Sequence, residues 1–367
     1  MAPHARAFLP FFGSNKLQKL TMKKLFKITF LVLLIAGCSE EPVETVFFDL
    51  DTQNGVFIAS EGNFMYGNAS LSFYNSENKT VTNQLFYARN NAPLGDVVQS
   101  LAQFGDSLFI VVNNSGKIYV ADSETVEYKG TITGLTSPRH IHFVSGEKAY
   151  ISDLYASSIT IFNPATLDVT GKIEIGNHNS EQMVQVGKYV FVSSWANDEN
   201  ILVIDTENDE LTQKINVPFQ PKDLEVDKNE KVWVLSEGAY ENTDEKEHLP
   251  ALTRIDPETF TVEQIYRFPA EYQPASLEMN ASKDTLYYIL NGINKMAVDE
   301  RYLADSVFIP AGGRLFYNLA VDPESNEIFV ADAIDYSQDA IIYRYSQSGE
   351  VKDSFKVGIN PSYFLFR

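Results

Sequence analysis

Short apolar runs alternate with polar turns along most of this chain, and beyond residue 40 no long segment shows the 3.6-residue spacing of a helix. One run recurs. It reads Val56-Phe57-Ile58-Ala59, Leu108-Phe109-Ile110-Val111, Ala149-Tyr150-Ile151-Ser152, Val190-Phe191-Val192-Ser193, Val232-Trp233-Val234-Leu235, Leu286-Tyr287-Tyr288-Ile289 and Ile328-Phe329-Val330-Ala331. Successive runs start 52, 41, 41, 42, 54 and 42 residues apart, so four of the six intervals agree within one residue. Such regularity points to a repeated structural unit.

Each repeat keeps one internal order. A strand opens after proline or a polar turn, as in Pro138-Arg139-His140-Ile141-His142-Phe143-Val144 and Pro221-Lys222-Asp223-Leu224-Glu225-Val226. A tight turn such as Ser145-Gly146-Glu147-Lys148 leads into the recurring run. A third strand follows (Ile159-Thr160-Ile161-Phe162), and a turn returns the chain as a fourth (Gly171-Lys172-Ile173-Glu174-Ile175). Four antiparallel strands in ~40–45 residues make a propeller blade. The first repeat begins at its second strand, and residues 360–366 read as an inner strand with no blade after it. Joining the two predicts an all-β fold over residues 48–367. It is a seven-bladed β-propeller of four-stranded antiparallel blades, closed by the C-terminal strand, which removes the two open edges that the unjoined ends would leave. Residues 45–48 compete for that closing blade or extend it.

Composition narrows the partners. Tyr (19) and Phe (25) are abundant and charged residues make up 21%, which suits strands. From Cys38 onward the chain carries 23 basic and 49 acidic residues, and no basic stripe offsets them, which argues against nucleic-acid binding. With one cysteine there is no internal disulfide and no cysteine-based metal site.

The N-terminus reads as an address. Met22-Lys23-Lys24 precedes an apolar run over 25–36 that is too short to span a bilayer, the pattern of a signal peptide over 22–37. It ends in Leu34-Ile35-Ala36-Gly37-Cys38, which resembles the lipobox of bacterial lipoproteins. The resemblance implies cleavage before Cys38 and a lipid on its thiol, with 38–47 as the tether. Residues 1–21 read as an upstream extension. Ser39-Glu40-Glu41 resembles the acidic tag of outer-membrane surface lipoproteins of the Bacteroidetes.

A ring of blades gathers two loop sets on one face: those entering each inner strand and those joining second to third strands. The aromatic rings there, Tyr155, Trp195, Tyr240 and Tyr336, are not needed to make turns, and they supply stacking area. Asn114, Arg139, Gln182 and Asp335 supply polar contacts, so these eight are the candidate ligand-binding residues. His140 and His142 project to one side of a strand and suit lining the channel with water or holding a metal. Asp332, Asp335 and Asp339 lack the spacing of a dedicated calcium loop.

Leu94-Gly95-Asp96-Val97, Gly134-Leu135-Thr136-Ser137-Pro138-Arg139, Lys148-Ala149-Tyr150-Ile151-Ser152-Asp153-Leu154-Tyr155, Glu181-Gln182-Met183-Val184, Asp332-Ala333-Ile334-Asp335-Tyr336 and Gly358-Ile359-Asn360-Pro361 carry a more specific likeness. With them the mature chain resembles the YncE-like propeller lipoproteins of Bacteroidetes, similar to the BtuG-type cobalamin-binding proteins. The resemblance implies an outer-membrane lipoprotein that binds cobalamin or another corrinoid. It implies delivery to a TonB-dependent transporter, with no cofactor and no catalysis. The acidic insertion over 241–249 is where this chain departs from its relatives. No nucleophile elbow, phosphate loop or dinucleotide fingerprint is present. The alternative is a metal-dependent lactonase-type propeller with Glu61, Asn113, Asp153 and Asp332 over the channel. A protein-binding scaffold is the third reading.

The lipid-anchor reading carries a direct test. Cys38→Ser in the native host is expected to move the protein from the detergent phase to the aqueous phase of a Triton X-114 partition; a variant still in the detergent phase would refute acylation at Cys38.

Overall fold

The recurring run is the second strand of a blade, and it is buried at every position because neighbouring blades cover both its faces. The structure, a computed structural model, describes residues 52, 54–239 and 248–367. The signal peptide, Cys38, the tether, residues 45–48, Tyr240 and residues 241–247 lie outside the described residues.

Seven four-stranded antiparallel sheets follow one another, each running from inner to outer strand. Blade 1 combines Pro361–Phe366 with Gly55–Ser60, Ser70–Asn75 and Thr80–Thr82. Blade 2 is Val98–Phe104, Ser107–Val112, Lys117–Asp122 and Tyr128–Ile132; blade 3 is Pro138–Phe143, Ala149–Asp153, Ser158–Phe162 and Val169–Glu174. Blade 4 comprises Met183–Val186, Tyr189–Ser194, Asn200–Asp205 and Glu210–Asn216; blade 5 comprises Pro221–Val226, Val232–Ser236, Ala251–Asp256 and Thr261–Arg267. Ala275–Met279, Thr285–Ile289, Gly292–Ala297 and Ile309–Pro310 form blade 6, and Phe316–Val321, Ile328–Asp332, Ile341–Tyr345 and Val351–Lys356 form blade 7. The predicted fold is the observed one, including closure by the C-terminal strand: Phe57 pairs with Leu365 and Ile58 with Phe364. A six-residue helix, α1 (Leu85–Asn90), links blades 1 and 2 and buries Leu85 and Phe86 between them.

Side-chain alternation explains the core. In Gly55–Ser60, Phe57 and Ala59 face blade 2, while Val56 and Ile58 face blade 7. Each interface between blades holds its own apolar cluster, such as Phe109, Val111, Ala149 and Ile151 between blades 2 and 3. Fully burying one such side chain contributes roughly 1.5–3 kcal/mol. The outer strands lack an outer neighbour and alternate with exposed positions, as in Val169–Glu174.

Most of the Asp and Asn residues of the turns do what turns require. Asn75, Asp122, Asn163 and Asp256 close third strands or follow them, and each accepts hydrogen bonds from the amides two and three residues on. Adjacent inner strands are bridged by side chains. Ser276 Oγ donates to Asn318 Oδ1 (2.6 Å), Ser362 Oγ to the Val98 carbonyl (2.7 Å) and Ser100 Oγ to the Arg139 carbonyl (2.6 Å).

The seam between blades 7 and 1 also carries a buried ionic cluster. Arg344 donates to Glu327 and to Tyr74 Oη (3.2 Å), and Tyr74 Oη donates to Asp353 (2.9 Å). Arg344→Ala leaves Glu327 enclosed with weaker compensation. It is expected to lower the unfolding free energy by roughly 3–5 kcal/mol, read from urea denaturation, and a loss below about 1 kcal/mol would show that the seam does not rely on it.

Candidate functional site

Each blade delivers its inner strand with a defined twist of backbone, and that decides which side chains reach the channel. In blade 5, Pro221 pairs with Ser236 but Asp223 pairs with Leu235, so Lys222 is the extra residue of a bulge. Bulges recur at the same level in blades 2, 3 and 7, around Gln99, Arg139 and Tyr317. They turn large polar side chains toward one mouth of the channel. Below them a cavity of about 880 Å³ runs along the axis, lined among others by Glu61, Gln182, Lys222, Glu237, Tyr317 and Tyr336.

Two ion pairs organise the mouth. Arg139 grips Glu181 with both Nε and Nη2, at 2.6 Å each, and His140 Nε2 lies 3.7 Å from the same carboxylate. Burial alone would raise Glu181, but the Arg139 guanidinium and His140 outweigh it and hold the carboxyl at about 2. Lys222 bonds Glu237 at 2.8 Å, and the Trp195 indole N–H donates to the other oxygen of Glu237 at 3.0 Å. Burial opposes the Lys222 charge, yet Glu237 and Asp223 more than compensate and raise its pKa. The Trp195 ring sits 5.7 Å from the Arg139 guanidinium and 5.4 Å from the Lys222 ammonium, so the pairs join into one network. Across the channel Glu61 bonds Tyr317; burial pushes the Glu61 carboxyl up against the opposing pull of that bond and of Arg139. Tyr317 meets Tyr336 edge-on at 5.8 Å.

Further along the axis the wall is acidic. Burial raises Asp223 to about 6 despite Lys222, and its Oδ2 is enclosed without a hydrogen-bond partner. Glu225 and Glu278 are pushed up by burial and by the carboxyls around them, with Lys283 the nearby cation. These groups favour the neutral acid more than a free carboxyl does.

The structure gathers part of the expected set. Arg139, Gln182, Trp195 and Tyr336 belong to this mouth, Gln182 using its Oε1 to accept the Leu224 amide of the next blade at 2.5 Å. Tyr155 projects into solvent, 75% exposed, and Asn114 is exposed and donates to Asp96 at 2.5 Å. The Asp335 carboxylate caps its own turn, accepting from the amides of Ser337 and Gln338. Tyr240 lies outside the described residues. His140 lines the cavity, whereas His142 bonds Gln185 at 2.8 Å and burial lowers its pKa. Three of the four residues of the lactonase-type arrangement are occupied otherwise. Asp153 accepts four amides, from Thr136, Ser137, Tyr155 and Ala156. Asp332 accepts those of Leu315 and Ile334, and Asn113 donates to Ser137 and Pro138. Only Glu61 faces the cavity. Asp339 is exposed, so 332, 335 and 339 do not converge as a calcium loop; among the described residues no three His, Cys, Asp or Glu side chains are placed to hold a metal. The residues missing from the sequence-based set are Glu181, Lys222, Glu237 and Tyr317 at the mouth and Asp223, Glu225 and Glu278 deeper in.

The raised Asp223 pKa has a sign that can be worked out. Its carboxyl titrates near 3.8 when unfolded and near 6 when folded, so ionisation favours the unfolded chain and stability is lost as pH rises between these values. Asp223→Asn is expected to be more stable than the parent at pH 7, by up to roughly 3 kcal/mol, and no more stable at about pH 3.5. Urea denaturation at both pH values checks this; an equal change at the two would refute it.

Comparison with solved structures agrees with the architecture. A protein from Lactobacillus plantarum superposes with a TM-score of 0.65 at 15% identity, covering 86% of this chain and 99% of its own. A quinoprotein alcohol dehydrogenase-like protein from Bacteroides thetaiotaomicron gives 0.63 at 15% identity, covering 86% and 78%. A Bacteroides fragilis protein whose name assigns it provisionally to the 6-phosphogluconolactonases gives 0.61 at 14%, covering 86% and 99%. At these identities the likeness extends to the fold alone. No curated protein matches the sequence. A family model does match residues 54–367, nearly the whole propeller, and the chain therefore belongs to the family described as a domain of unknown function, DUF5074.

Proposed function

We propose that this propeller is a lipid-anchored capture protein of the outer membrane, holding a small molecule at the channel mouth and passing it to a TonB-dependent transporter without chemical change. The ligand in this reading is cobalamin or another corrinoid. One observation carries the binding part: a preformed cavity of about 880 Å³, lined by aromatic rings, amides and carboxyls, whose ion pairs at the mouth are already made within the protein. Such a mouth has the size and mixed character of a small-molecule site. Because Trp195, Arg139, Glu181, Lys222 and Glu237 hold one another in place, little ordering opposes binding. Corrinoid identity, the anchor and the transporter rest on the sequence resemblance. The lactonase-type reading is weaker because Asn113, Asp153 and Asp332 already serve the backbone. The scaffold reading leaves the cavity without a role.

Isothermal titration of the mature protein with cyanocobalamin and dicyanocobinamide, with and without EDTA, separates these readings. Saturable heat indifferent to chelator is the expected result. Absence of heat with both corrinoids would remove the capture reading, and chelator-sensitive turnover of a lactone would replace it with the enzyme.

A further inference from the structure

Three consecutive large apolar side chains stand out in solvent beside the mouth: Phe64 (65% exposed), Met65 (78%) and Tyr66 (79%). Contiguous apolar exposure of this kind marks a contact surface more often than isolated exposed residues do. The segment carrying them is built, not loose. At its root Gly62 turns with φ 76°, where a Cβ would come within 2.4 Å of Asn68 Oδ1. Asn68 Oδ1 accepts the Asn63 amide at 2.7 Å, and Tyr66 N–H closes the turn onto the Asn63 carbonyl at 3.0 Å. Met65 is held at φ 68°, unusual for a side chain of its size, with its N–H given to Asp96 Oδ2 at 2.9 Å. A backbone stapled at both ends thus presents three side chains that contribute nothing to the core.

The segment is continuous with the site already described. Asn63 Nδ2 donates to the Tyr336 carbonyl at 3.0 Å, and Glu61, two residues before Asn63, lines the cavity together with Tyr336. Ile334 and Tyr336 are exposed on the neighbouring loop. The cations alongside are already paired, Arg139 with Glu181 and Lys222 with Glu237, and burial pushes the Glu61 carboxyl up. An ionic ligand group would find no uncompensated partner among these residues.

We infer that Phe64, Met65 and Tyr66, with Ile334 and Tyr336, form an apolar shelf that receives one face of the captured ligand, and that this ligand pairs a broad apolar face with a neutral edge of amides or hydroxyls. The inference rests on the capture reading above and adds the contact surface and the chemical class. The ligand's face lies on the shelf while its edge reaches Glu61, Tyr317 and Gln182. A small charged molecule would find the ion pairs of the mouth already closed and would gain nothing from the shelf.

The test is calorimetric titration of dicyanocobinamide and cyanocobalamin into the parent and into Phe64→Ser/Met65→Ser/Tyr66→Ser. The three side chains are exposed, so the variant is expected to keep the parent's urea midpoint, which is measured alongside. Loss of stacking and apolar contact predicts weakening on the order of tenfold or more. A variant that binds as tightly as the parent would overturn the shelf and leave the capture reading standing. If that variant instead loses co-purification with an outer-membrane transporter, the shelf is a protein contact and the inference falls. A parent that binds neither corrinoid would overturn both.

Discussion

Everything at the mouth depends on a single sheet being assembled from both ends of the propeller. Pro361–Phe366 pairs with Gly55–Ser60, and without that pairing blade 1 would lack an inner strand and blades 7 and 2 would each lose an apolar neighbour. Closure is reinforced along its length. The Glu61 and Gly62 amides donate to the carbonyls of Asn360 and Ile359, and the Arg367 amide donates to the Gly55 carbonyl. Because Glu61 follows directly on the seam, the constraint that closes the ring is also the one that sets a cavity carboxyl in place.

Closure brings together loops distant in sequence, and the electrostatics of the mouth then hold them. Buried ion pairs often add little net stability, since desolvation offsets attraction. Their role here is positional. Glu181 belongs to blade 4 and Arg139 to blade 3, and Trp195 of blade 4 bonds Glu237 of blade 5, so these two contacts fix one blade against the next, while Lys222–Glu237 closes within blade 5. The acidic wall beyond is a different environment, in which burial and neighbouring carboxyls push Glu225 and Glu278 up, with Lys283 the nearby cation.

The fold was legible because burial on two faces writes continuous apolar runs into second strands, as in Val232–Ser236, and because Asp and Asn mark the turns. Loop placement also brought out Trp195 and Arg139. What escaped was pairing. Asp335 and Asn114 have the residue types of ligand contacts, yet Asp335 is engaged within its own turn and Asn114 with Asp96 of the preceding loop. Lys222, Asp223 and Glu225 read as an ordinary polar alternation; the bulge that turns Lys222 to the mouth leaves no mark of its own in the sequence. One signal was present and unused. Arg139–Glu181, Trp195–Glu237 and Ser276–Asn318 are each separated by 42 residues, one repeat, so a search for complementary polar residues at that offset finds these contacts between blades.

The two tryptophans differ in a way that gives the molecule an internal reporter. Trp233 is sealed between blades, with no exposed surface and its N–H on Asp227. Trp195 stands in the cavity's ionic framework with cations near its ring and a carboxylate on its N–H. Indole emission responds to nearby charge, so a disturbance of the mouth reaches one chromophore while the other supplies a constant background.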